Sequence, residues 1–136
     1  MYEKPFKLEI MSPRRVVYSG EATSVSLPGA MGGFQVLHSH APLLSSLHVG
    51  TMKLRTVEGT EVFFATSGGF VEVRDNVVTV VVESAERADE IDVERAKRSA
   101  DRAHERLKNR AADIDVPRAE VSLARAMNRL RVAGRT

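Results

Sequence analysis

Cysteine and tryptophan are both missing from the 136 residues, and aromatics are limited to two Tyr and five Phe. Without cysteine there can be no disulfide, thiolate metal site or thiol nucleophile, and a reducing compartment fits. So few aromatics leave little on which nucleobases could stack. No apolar run approaches the roughly 18 residues that a membrane-crossing helix needs. The opening stretch from Met1 to Lys7 mixes acidic and basic residues and lacks the apolar core of a signal peptide. Any membrane association is therefore expected to run through a protein partner, with no direct insertion. What remains is a chain of ordinary hydrophobicity, long enough to bury a core as one domain or two small ones.

Charge is unevenly spread. The overall excess is +2, yet residues 1–84 carry 7 Lys/Arg against 8 Asp/Glu and residues 85–136 carry 13 against 10. From Val116 onward five arginines face Glu120 alone. A basic tail of this kind calls for an acidic partner, whether nucleic acid, nucleotide or an acidic protein segment.

Hydrophobic periodicity divides the chain at the same place. Phe6, Leu8 and Ile10 interleave with Lys7 and Glu9, and Thr23, Val25 and Leu27 with small polar residues. Met52 and Leu54, Glu61–Thr66, Phe70–Arg74 and Asn76–Val82 continue the alternation. Turn signals separate these runs at Ser19-Gly20, Pro28-Gly29, Glu58-Gly59, Ser67-Gly68-Gly69 and Asp75-Asn76. Short strands at this spacing predict an antiparallel sandwich or barrel. Asp75-Asn76 suits a two-residue hairpin, since both residue types tolerate positive φ. After Ser84 the period becomes helical: Ala96, Ala100, Ala103 and Leu107 form one stripe. Asp113–Pro117 interrupts it, with Pro117 suited to the first turn of a second helix. That helix presents Ala119, Leu123, Ala126 or Met127, and Leu130 on one side. Residues 1–84 are thus expected to form an N-terminal antiparallel β-sandwich and residues 85–136 an antiparallel two-helix hairpin. An alanine-rich seam buries little area, at about 25 cal/mol per Å², so the hairpin is expected to be detachable.

Catalytic and metal chemistry find no constellation. His38, His40 and His48 lack further ligands, and their neighbours Pro42, Leu43 and Leu44 read as core. Ser39 between two histidines has no third partner and no strand–turn–helix elbow. Gly68-Gly69 is followed by neither Lys-Ser/Thr nor a helix, and reads as a tight turn between strands. Asp101 and Glu105 among Arg98, Arg102 and Arg106 read as solvated helix-face pairs. The arginines of the helices are more specific. Asp92, Arg95 and Arg102 share one face of the first helix, and Arg125 and Arg129 one face of the second. Side-by-side helices would bring them together with Glu86. Arginine forks suit phosphate, and a carboxylate can hold a ribose or an arginine; a plain surface of ion pairs is the other reading.

Three stretches carry a resemblance over nearly the whole chain: Gly33–Leu44, Ser67–Val73, and Ile91-Asp92-Val93-Glu94-Arg95-Ala96. Together they resemble the epsilon subunits of F-type ATP synthases. The resemblance implies a central-stalk rotor subunit with no active site, coupling proton flow through the c-ring to rotation and ATP synthesis. It places residues 1–84 on the gamma subunit and the c-ring, with His38, Ser39, His40, Ala41 and Pro42 in the ring-facing loop. The family usually reads Pro-Gly-His-Ala-Pro-Leu there; His38 and Ser39 replace the Pro-Gly pair. It makes residues 85–136 a mobile regulatory hairpin. Folded down, the hairpin would leave the motor free; extended, its basic helix would meet acidic segments of the beta and alpha subunits and inhibit ATP hydrolysis. Ile91-Asp92-x-x-Arg95-Ala96 matches an ATP-binding motif of some bacterial members, and Glu86, Asp92, Arg95, Arg102, Arg125 and Arg129 fall at their nucleotide-contacting positions. No cofactor is implied as required; ATP, with or without Mg²⁺, is implied as a regulatory ligand. The implied location is peripheral, on the cytoplasmic face of a bacterial plasma membrane, with the stromal face of a thylakoid as the alternative. Two other classes stay open on the residues: a nucleic-acid-binding module with a basic helical arm, and a free-standing ATP sensor.

Overall fold

The computed structural model describes residues 3–109 and 113–134. Arg135, counted above in the basic tail, and Met1-Tyr2 lie outside the described residues. Seven strands come first: β1 (Phe6–Met11), β2 (Val16–Leu27), β3 (Phe34–Val36), β4 (Leu43–Thr56), β5 (Glu61–Arg74), β6 (Val77–Val82) and β7 (Ala85–Arg87). A 3-10 turn, Ala88–Glu90, leads into α1 (Val93–Asn109) and α2 (Val116–Ala133).

The strands join one sheet in the order β1-β6-β5-β4-β2-β3, and a second pairing of β1 with β2 closes it on itself. The alternation in sequence is the alternation of burial. Leu8, Ile10, Val25, Met52, Leu54, Val71 and Val80 are wholly inside, while Lys7, Glu72 and Arg74 point out. The β-sandwich followed by a helical hairpin is therefore as expected, with one exception to the antiparallel rule. β1 runs parallel to β6, with Leu8 opposite Val78 and Ile10 opposite Val80.

Two of the expected turns are not turns. Ser19-Gly20 sits inside β2, and Ser67-Gly68-Gly69 lies within the single strand β5. Gly68 and Gly69 adopt φ of 106° and 156°, and a Cβ on Gly69 would lie 2.0 Å from the Val81 carbonyl oxygen. Such conformations bend a strand without ending its ladder. β5 accordingly pairs with β4 along both halves, but with β7 before the bend and β6 after it. The Asp75-Asn76 hairpin forms as predicted, with φ of 51° and 61° and Arg74 opposite Val77.

In α1 the buried residues are Ala96, Ala100 and Ala103, the alanines of the predicted stripe, while Leu107, its fourth member, is half-buried. α2 starts where its signals lie: the Asp115 side chain accepts a hydrogen bond from the Arg118 N–H at 3.1 Å, and proline occupies the first turn. Its buried face differs from the expected one. Met127 is exposed, whereas Asn128 and Val132 join Ala119 and Ala126 inside. The difference arises because α2 packs on two surfaces, α1 and the sandwich. Val132 packs with Ala65 and Ile91, and the Asn128 amide donates to the Gly50 carbonyl at 2.7 Å.

Candidate functional site

β7 and the turn after it hold the key carboxylates. Glu86 on β7 faces α2, and its Oε1 lies 2.6 Å from the Arg129 Nε. Asp92 caps α1, its Oδ1 accepting from the Arg95 N–H at 3.0 Å. Arg95 and Arg102 follow on the same side of α1. Glu86, Asp92, Arg95, Arg102 and Arg129 line one cavity of about 450 Å³, together with Glu90. Neither Arg95 nor Arg102 has a side-chain ion pair among the described residues.

Arg125 points into a neighbouring cleft of about 450 Å³, which Glu86 and Arg129 also border. Its Nη2 pairs with Glu83 Oε2 at 3.1 Å, and its Nε is buried without a hydrogen-bond partner among the described residues. Glu83, Glu90 and Arg15 were not among the site residues expected from sequence. Arg15 reaches across to Glu90 at 3.2 Å and to the Ala85 carbonyl at 3.4 Å. Nothing in the local pattern places the β1–β2 loop beside the start of α1; only the closed sheet does. Of the helix-face pairs expected on α1, Asp101 and Glu105 form none within 4 Å among the described residues, and only Lys97 with Glu94 meets the distance, at 3.9 Å. Asp101 and Glu105 reach solvent instead.

The loop His38–Pro42 lies between β3 and β4 at one end of the sandwich. Ser39 sits at φ 57°, held by its N–H donating to the Asn76 side chain at 2.7 Å. His38 Nδ1 lies 2.8 Å from the Pro5 carbonyl and 3.3 Å from the Asn76 amide nitrogen. The loop is thus pinned by the β5–β6 hairpin and the segment before β1. Pro42 and Leu44, expected in the core, are on the surface, with Leu44 71% exposed. Leu44 opposes Glu72 in the ladder, on the outward face of β4. Among the described residues no three His, Asp or Glu come close enough to hold a metal ion. No described helix is long and apolar enough to cross a membrane.

A closed β-sandwich carries a helical hairpin here, with arginines and carboxylates interleaved at the junction. Comparison with known proteins gives this arrangement a family. Residues 5–88 match the model for the beta-sandwich domain of the ATP synthase delta/epsilon chain, and residues 89–134 that for its long alpha-helix domain. The chain belongs to the ATP synthase delta/epsilon chain family. It is 47% identical to the ATP synthase epsilon chain of Pelotomaculum thermopropionicum, over 79% of each chain. With that of Carboxydothermus hydrogenoformans it shares 50% identity, over 76% of this chain and 77% of the relative. The fold is also that of a chain in the Euglena gracilis mitochondrial ATP synthase OSCP/F1/c-ring structure, at a TM-score of 0.81 and 19% identity, covering 91% of this chain and 78% of that one. A chain of the Tetrahymena thermophila mitochondrial ATP synthase central stalk and c-ring aligns at 0.61 and 15% identity, over 99% and 98%.

Proposed function

We propose that this chain is a non-catalytic rotor subunit of a proton-transporting ATP synthase, with a hairpin that switches between two poses. The sandwich joins the gamma subunit to the c-ring and turns with them, so that proton flow drives rotation and ATP synthesis. The loop His38–Pro42 faces the ring. The complex sits peripherally on the cytoplasmic face of a bacterial plasma membrane, in keeping with the bacterial source of the relatives. An apolar strip on the outer sheet face suits gamma. Leu44 and Phe70 are 71% and 49% exposed, and Val81 and then Met11 extend the strip in register from Phe70.

The observation that carries the switch is how α2 is attached. Its seam with α1 is made of alanines, each methyl contributing under about 1 kcal/mol. Its seat on the sandwich is a small apolar cluster of Val132 with Ala65 and Ile91, one buried amide, and two ion pairs, Arg129 with Glu86 and Arg125 with Glu83. The two ion pairs are partly exposed and can be given up to water at little cost. The folded pose assembles Glu86, Asp92, Arg95, Arg102, Arg125 and Arg129 from both halves of the chain, and extension takes them apart. ATP, bound only to the folded pose, therefore favours it, and the extended basic helix meets acidic segments of the beta and alpha subunits and blocks hydrolysis.

Calorimetric titration of ATP, with and without Mg²⁺, into the isolated chain tests this beside Arg125→Ala and Arg129→Ala. Saturable binding that both substitutions weaken supports an ATP-gated hairpin. No heat up to millimolar ATP makes the arginines a docking face for acidic protein partners, with the hairpin governed by something else.

A further inference from the structure

The two adjoining clefts differ in charge. The cavity holding Asp92 sets Glu86, Glu90 and Asp92 against Arg95, Arg102 and Arg129, so it is balanced and polar. The neighbouring cleft has Arg14, Arg15, Arg125 and Arg129 against Glu83 and Glu86. It stays positive even with Glu90, the partner of Arg15, counted in. Ser12 and Ser84 add hydroxyls to the same cleft. The two spaces adjoin at Glu86 and Arg129, which line both. Guanidinium groups and hydroxyls bind phosphate oxygens with directed, charge-assisted hydrogen bonds, whereas a balanced polar cavity suits a neutral ribose and base.

A second observation is an arginine at the rim of the positive cleft that is left without an ion pair. Arg14 is exposed and forms no ion pair among the described residues. Its neighbour Arg15 is already tied to the Ala85 carbonyl and Glu90, which fixes the β1–β2 loop against the rim.

We propose that the cleft between the β1–β2 loop and α2 is a polyphosphate subsite, in which Arg14 and Arg15 hold the phosphate tail of a ligand whose nucleoside occupies the cavity at Asp92. This deepens the nucleotide reading above and rests on it for the nucleoside half. It adds the sandwich's own loop to the ligand's grip. The bound tail then ties α2 to β1–β2 directly, clamping the hairpin down at a place the helix motif does not reach.

Calorimetry on the full chain at fixed ionic strength, with ATP, AMP and inorganic tripolyphosphate as probes, tests the subsite in Arg14→Gln and Arg15→Gln. Arg14→Gln alters an exposed side chain that forms no ion pair among the described residues, so it keeps the test open if Arg15→Gln disturbs the loop. The expected result is about tenfold weaker binding of ATP and tripolyphosphate in Arg14→Gln, with AMP little changed. Tripolyphosphate binding without ATP binding, lost on Arg14→Gln, keeps the subsite for inorganic polyphosphate and removes the nucleotide reading. ATP binding unchanged in both variants, or weakened no more than AMP, overturns the subsite and leaves the nucleotide reading standing. Binding of none of the three probes overturns both.

Discussion

Arg129 on α2 places its Nε 2.6 Å from the Glu86 carboxylate on β7, joining the last helix to the last strand across 43 residues of chain. Both side chains are one-third exposed, so the pair is only partly shielded from solvent. It is also the one contact common to both clefts at the junction.

Removing that pair should loosen the hairpin without unfolding the sandwich. Glu86→Gln and Arg129→Ala should each destabilise docking by about 0.5–1 kcal/mol, and the double variant by less than the sum. Hydrogen exchange along α2 reads this directly. Unchanged protection in both variants would show that the pair holds nothing.

Asn128 should matter more than either charge. Its amide is buried and donates to the Gly50 carbonyl at 2.7 Å, in a helix face otherwise made of Ala and Val. Asn128→Ala leaves that carbonyl without its donor and should cost about 1–3 kcal/mol. Asn128→Asp should cost more, since a carboxylate would face a carbonyl oxygen. Denaturant unfolding ranks the three proteins, and parity of the Asp variant with wild type would contradict the geometry.

The exposed strip on β4 and β5 gives a binding prediction. Leu44→Asp and Phe70→Glu should weaken association with gamma by about tenfold or more while leaving the melting temperature nearly unchanged, because both side chains are exposed. Co-purification with gamma is the readout. Full retention by the double variant would put gamma on another face.

Tyr18 predicts an alkaline limit. Burial, with Glu58 and Glu21 charges nearby, raises its phenol above the ordinary value of 10.0, and its hydroxyl donates to the Glu21 carbonyl at 2.7 Å. The folded state therefore holds this proton more tightly than the unfolded one. That contribution is fully present below about pH 10 and fades as the pH rises through the folded value. Tyr18→Phe should flatten stability against pH above 10, and its difference titration against wild type should place the Tyr18 tyrosinate absorbance late.

What was legible in the sequence was local. The Asp75-Asn76 turn, the alanine stripe of α1 and the Pro117 start of α2 each depend on neighbours a few residues away, so spacing alone found them. Arg95 and Arg102 could be put on one helix face for the same reason. Gly68-Gly69 misled because glycines with positive φ end strands more often than they bend them, and only the pairing with β4 and β6 distinguishes the cases. Asn128 was not among the residues expected on the inner face of α2, and its partner is a backbone carbonyl 78 residues away. Arg15 and Glu90 meet across 75 residues, a proximity created by sheet closure that no periodicity records.

That closure has a consequence for assembly. β1 pairs with both β2 and β6, so the first strand has no second neighbour until residues 77–82 are available. A chain cut short before Val77 is not a smaller sandwich. It is an open sheet whose first and fifth strands offer unpaired N–H and C=O groups to any passing strand, and its expected fate is edge-to-edge association.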